Sequence, residues 1–97
     1  MVTIRWNKKA VQQLEKAIAY IEEDSIANAD KFKIEILDRI DSLLKHPEKY
    51  SPDKYKMNND GSFRAFELHS YRISYRVKAN EVRIIRVRHT KMNPRSY

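Results

Sequence analysis

Apolar residues recur at helical spacing through the first half of this chain and at strand spacing through the second. From Lys8 to Glu23, the positions Ala10, Val11, Leu14, Ala17, Ile18 and Ile21 fall on one side of a 3.6-residue repeat, which predicts an amphipathic helix. Asn7, just before it, is of the type that caps a helix by accepting a bond from a free backbone N–H. Asp24-Ser25 interrupts the repeat. It resumes with Ile26, Ala29, Phe32, Ile36, Ile40, Leu43 and Leu44 and stops before Pro47. So short a break joins two helices as an antiparallel hairpin. Val2 to Trp6 alternates apolar and polar residues, as a short strand does. Residues 47–61 hold two prolines and the only glycine and read as a loop.

Three further strands follow. Phe63 to His69 sets Phe66 and Leu68 against Ala65, Glu67 and His69. Tyr71 to Lys78 alternates most clearly, with Tyr71, Ile73, Tyr75 and Val77 on one face and Arg72, Ser74, Arg76 and Lys78 on the other. Ala79-Asn80 is a two-residue turn without the glycine such turns favour, and Glu81 to His89 is the last strand, followed by a polar tail. The expected fold is α+β, ordered β-α-α-β-β-β over a single domain, residues 1–97. A helical hairpin packs on the Tyr/Ile/Val face of a small antiparallel sheet and leaves the arginine face open.

Charge sharpens this picture. Residues 62–97 contain nine Lys/Arg and two acids, a net +7, which equals the net charge of the whole chain; residues 8–46 come to −1. One face of the sheet should therefore carry nearly all the excess charge and meet an acidic or polyanionic partner. No cysteine is present, which excludes disulfides and thiolate zinc, and three scattered histidines give no metal site. No cofactor is expected. The opening Met1-Val2-Thr3-Ile4-Arg5-Trp6 lacks a signal-peptide core and no apolar run approaches a membrane span. A cytoplasmic location without membrane contact is the expectation.

Arg72 and Arg76 share one strand face, about 7 Å apart, and Arg86 and Arg88 share another. If register joins the two pairs, four guanidiniums line one concavity suited to phosphate. The alternative is a solvated face that discourages edge aggregation. His89, with Glu67 as base and Arg72 as phosphate clamp, would make a metal-free RNase set acting on a 2′-hydroxyl. Strict alternation puts His89 with Ile85 and Val87, away from Arg86 and Arg88, unless a bulge intervenes. Glu67 could equally pair with Arg72. Trp6 reads as a core or edge anchor, Tyr50 and Tyr55 as pins holding the loop to the helices, His69 as an exposed linker residue and His46 as part of the last helical turn. Tyr97 is either disordered or functional.

The runs Phe66-Glu67-Leu68-His69-Ser70-Tyr71-Arg72-Ile73-Ser74-Tyr75-Arg76-Val77 and Ile84-Ile85-Arg86-Val87-Arg88-His89-Thr90-Lys91-Met92-Asn93-Pro94 resemble the RelE/ParE superfamily of bacterial toxins. Ala10, Tyr20-Ile21, Ala29, Ile40, Leu43 and Pro47 extend the likeness through the front half. The resemblance implies the toxin of a type II toxin–antitoxin pair, held by a small, acidic, partly disordered antitoxin through which alone it meets operator DNA. The long helical hairpin and the alternating back half look more like the ParE branch, whose members poison DNA gyrase, than the RelE branch, whose members cleave mRNA on the ribosome. Ala65-Phe66-Glu67 lacks the paired lysines of RelE members. On the ParE reading the chain has no catalytic residues, and Arg72, Arg76, Arg86, Arg88, Lys91 and Arg95 form the contact surface. On the RelE reading Glu67, Arg72, His89 and Tyr97 are catalytic. A relative that binds antitoxin without being toxic is the third possibility.

Overall fold

The computed structural model describes residues 2–93 and 95–97; Met1 and Pro94, which belonged to runs read from the sequence, lie outside them. Strand β1 (Thr3–Trp6) leads into α1 (Lys8–Asp24) and α2 (Ile26–Ser42), then β2 (Phe63–Leu68), β3 (Tyr71–Val77) and β4 (Glu81–His89). The expected order of elements is observed. The sheet runs β1-β4-β3-β2. β2, β3 and β4 pair antiparallel, and β1 joins the edge parallel to β4, so the sheet is mixed.

Ser25 alone separates the helices. It closes α1 by donating its N–H to the Ile21 carbonyl and opens α2 by accepting the Asn28 N–H on its hydroxyl at 3.1 Å. Asn7 stands at the N-cap of α1 without a side-chain cap, because its amide oxygen accepts from Arg83 at 3.2 Å instead. α2 ends at Ser42, so His46 lies in the turns beyond it rather than in the last helical turn. Phe32, Ile36, Ile40 and Leu43 are buried with Ile73, Tyr75, Val82 and Ile84 of the sheet. Trp6 packs at the rim of this core. Tyr75 is wholly buried and its hydroxyl donates to the Pro47 carbonyl at 2.9 Å, which ties the end of the helical half to the sheet; burial pushes its pKa up to about 12.

Alternation along β4 is broken by a bulge. Ser74 faces Arg86 while Tyr75 faces Ile84, so Ile85 has no partner on β3. The shift lets Val82 and Ile84 before it, and Val87 after it, all point into the core. Without it Val87 would face the other way.

The β2–β3 turn holds strain. His69 and Ser70 both have positive φ, 47° and 69°, as a two-residue hairpin of the favoured hand requires, yet neither is glycine. His69 Nε2 lies 2.7 Å from Glu35 Oε2, which fixes the turn against α2. Ser70 makes no such side-chain bond among the described residues. Ser70→Gly is therefore expected to stabilise the fold by about 1 kcal/mol, raising Tm by about 4–8 °C in a thermal melt. A lower Tm would mean the serine conformation is unstrained.

Candidate functional site

The arginine-bearing face of the sheet is not open. The loop from Asp53 onward and Tyr97 fold across it, because a buried carboxylate calls them there. Asp53 has no exposed side-chain surface. Its Oδ1 accepts from Arg72 Nη2 at 2.9 Å and from the Tyr55 N–H at 3.0 Å; its Oδ2 accepts from Ser74 Oγ at 2.8 Å and from the Tyr97 hydroxyl at 2.6 Å. Burial alone would raise this carboxyl's pKa. The bonds from Tyr97, Arg72, Tyr55 and Ser74 outweigh it and hold the group below the ordinary carboxylate range. Burial and the bond to Asp53 raise the Tyr97 phenol.

The loop also completes the sheet edge. The Asp53 N–H donates to the Phe63 carbonyl at 2.8 Å, the Ala65 N–H donates to the Ser51 carbonyl at 3.2 Å, and Pro52 bridges to Arg64. Tyr50 stacks on Phe66 with centroids 4.7 Å apart, on the core side. Tyr55 goes to the opposite face, where the Arg72 guanidinium lies 4.9 Å from its ring. The expectation that both tyrosines pin the loop to the helices is corrected: Tyr50 pins it to Phe66 of β2 at the core, and Tyr55 follows Asp53 across the sheet.

Tyr97 is ordered. Its N–H donates to the Tyr55 carbonyl, its carbonyl accepts from the Met57 N–H, and its ring lies 4.1 Å beneath the Arg86 guanidinium. The polar tail is therefore a strap across the face.

Register gathers some of the arginines and separates others. Arg72 lies opposite Arg88, and Arg86 lies two residue pairs further along on the same face, so these three line a cleft of about 50 Å3 with Tyr55, Glu67 and Thr90. Arg72 Nη1 donates to Glu67 Oε2 at 3.1 Å, while its buried Nε has no partner among the described residues. Burial penalises the Arg86 charge and lowers its pKa, helped by Arg88 and Arg72, against Tyr97 and Asp53. Arg76 falls outside this cluster. It pairs with Arg83 across β3–β4, stacks 4.7 Å from Phe63 and donates to Ser62. The four-guanidinium concavity expected on an open face is thus a three-guanidinium cleft at the margin of a covered one. Lys91 and Arg95 are exposed, and the Arg95 carbonyl accepts from Arg86.

The expected trio of Glu67, Arg72 and His89 is not assembled. The bulge lies before Arg86, so it leaves Val87 and His89 in one phase and Arg86 and Arg88 in the other. His89 pairs with Tyr71, its ring 4.9 Å from that ring and 6.3 Å from Tyr20 of α1, on the helix side of the sheet. Glu67 and Arg72 lie on the opposite side. On the helix side, beside His89, an open cavity of about 540 Å3 separates α1 from the β4 end. Among the described residues no cluster of His, Asp or Glu could hold a metal ion, and no helix is long and apolar enough to cross a membrane.

Asp53 was absent from the sequence-based site. One signal pointed to it: a strand region with nine cations and two acids needs another counter-charge, and the adjoining loop is where acids remain.

Three comparisons bear on this arrangement. The family model for the ParE toxin of type II toxin–antitoxin system, parDE, matches residues 4–94. No curated protein matches the chain. Among solved structures, a chain of a chromosomal ParDE TA system from P. aeruginosa has 21% sequence identity and a TM-score of 0.68, over 94% of this chain and 98% of that one, a likeness of fold.

Proposed function

The chain belongs to the ParE toxin family of type II toxin–antitoxin systems, and from that premise we propose that it arrests growth by binding and inhibiting DNA gyrase rather than by cutting RNA. The observation that carries this reading is the division of the sheet. Cations crowd one face, while the histidine that could serve as an acid stands on the other. Glu67 is engaged by Arg72, and Arg72 is engaged by both Glu67 and Asp53. Such a face can hold a partner's acidic surface, but lacks a free acid–base pair across a scissile bond. Arg86, Arg88, Lys91 and Arg95 are the residues proposed to make the contact, with Arg72 holding the face together from beneath and Arg76 extending the cationic surface.

The RNase reading keeps one observation in its favour, the chain of bonds that links Glu67 through Arg72 to Asp53 and Tyr97. The two separate in vitro. Purified toxin is expected to block DNA supercoiling by gyrase and to leave ribosome-bound mRNA intact. Ribosome-dependent cleavage with unaffected supercoiling would reverse the assignment. His89→Gln is expected to change the inhibitory concentration by less than about threefold, whereas loss of a general acid would cost about 100-fold or more.

A further inference from the structure

Helix α2 carries two apolar stripes, and the fold buries only one. Ala29, Phe32, Ile36 and Ile40 form the buried stripe. Leu37 follows Ile36 by one residue, so it stands about 100° further round the helix. Ile34, Leu37 and Leu44 recur there at coiled-coil spacing and stay 61%, 39% and 41% exposed; Leu44 lies in the turn that continues the helix. Ile26, 68% exposed, extends the line to the start of α2. Four of the eight exposed large apolar side chains among the described residues thus fall on one line, too concentrated for chance surface residues. The turns between them hold Asp30, Lys33 and Asp41, and Lys45 follows Leu44, all exposed. None of these four charges has an ion-pair partner among the described residues. The pairs that α2 does make, from Glu35 to Lys31 and to His69, lie on the far side of the helix.

We propose that this line is a self-association surface, on which α2 of a second copy of the chain packs antiparallel about a two-fold axis at Leu37. Charge complementarity selects this occupant. Such an axis brings together residues equally far before and after Leu37. Lys33, four residues before, meets Asp41 of the partner subunit, four after. Asp30, seven before, meets the turn that holds Lys45 of the partner subunit, eight after. Each contact occurs twice, so opposite charges flank the apolar row on both sides. Parallel packing would instead set Lys33 beside Lys33 and Asp41 beside Asp41, which repel. The chain carries +7, yet residues 26–45 hold four cations (Lys31, Lys33, Arg39, Lys45) and four acids (Asp30, Glu35, Asp38, Asp41), a net of zero. A polyanion therefore finds no excess of cations here, and a basic partner no excess of acids. The contact lies in the helical layer, so it leaves the outer face of each sheet clear and a dimer presents that face twice. The inference does not depend on gyrase being the target.

Sedimentation equilibrium of the full chain tests this. The 11.6 kDa chain is expected to show a monomer–dimer equilibrium, with a Kd of about 1–100 µM, as suits an interface of one helix pair. Leu37→Asp places like charges at the axis and should weaken dimerisation by about 30-fold or more. Lys33→Glu and Asp41→Lys should each be monomeric alone, because each sets like charges opposite one another twice. An equal mixture of those two variants should recover the dimer, because every charge then faces its opposite. All three positions are exposed, so circular dichroism should show the fold unchanged. A wild type that stays monomeric well above about 100 µM would overturn the proposal. So would a dimer that survives Leu37→Asp, or a mixture of the charge variants that stays monomeric. A free chain that is monomeric, while Leu37→Asp weakens its complex with the cognate antitoxin, would also overturn it by giving this line to that partner.

Discussion

Asp53→Ala is expected to lower the unfolding free energy by about 3–5 kcal/mol, a large part of the whole stability of a domain this size. Two physical effects combine. The substitution removes the acceptor for Arg72, Ser74, Tyr97 and the Tyr55 N–H at once, and it leaves the Arg72 guanidinium, 16% exposed, with only Glu67. Urea unfolding monitored by circular dichroism measures the loss. A change below about 1 kcal/mol would show that water replaces the carboxylate cheaply and that the loop is not anchored by it. The same group sets an acid limit. Its folded pKa lies below the unfolded value near 3.9, so the stability it contributes is fully present above that value and is lost as pH falls through the folded pKa. Asp53→Asn should accordingly show a shallower fall in stability than wild type as pH drops below the unfolded value, having less to lose.

The largest functional effect is expected from reversing charge on the part of the arginine face that is not structural. Arg88→Glu/Arg95→Glu should raise the concentration needed to inhibit gyrase by about 100-fold or more while leaving the fold intact. The choice follows from the contacts. Arg72 is half of a buried pair, so its removal would destabilise the domain and confuse the readout. Arg86 stacks on Tyr97 and supports the strap. Arg95 is exposed, and among the described residues Arg88 bonds only to the Asn93 carbonyl, so both can meet a partner. A folded variant with undiminished inhibition would move the gyrase contact elsewhere. Cleavage of RNA by that variant would instead revive the enzymatic alternative.

Much of the architecture could be read from the sequence because it is carried by local periodicity. The spacing from Ala10 to Ile21, the restart at Ser25 and the alternation from Tyr71 to Val77 each follow from geometry repeating over a few residues. The arginine face was correctly assigned as a face, but its state was not. Covering it depends on Asp53 and Tyr97, which lie 19 and 25 residues from Arg72 in sequence, and no local pattern records such a meeting. The bulge is an intermediate case. The Ile84-Ile85 doublet breaks the alternation and marks where an extra residue can be accommodated, yet the pattern alone did not say on which side His89 would emerge. Asn7 shows the reverse error, a good capping residue diverted by a long-range bond to Arg83.

The single-residue joint at Ser25 has an evolutionary corollary. Because one residue caps both helices, inserting or deleting one there would separate or remove the shared cap and shift where α2 starts, drawing Phe32, Ile36 and Ile40 out of their fixed placement against the sheet. Length variation should consequently be purged at this joint, while the 54–61 segment, whose exposed Lys54, Met57 and Asn58 touch no core, can absorb it. Natural relatives that differ in length are expected to do so in that loop and to keep the helical hairpin in fixed phase.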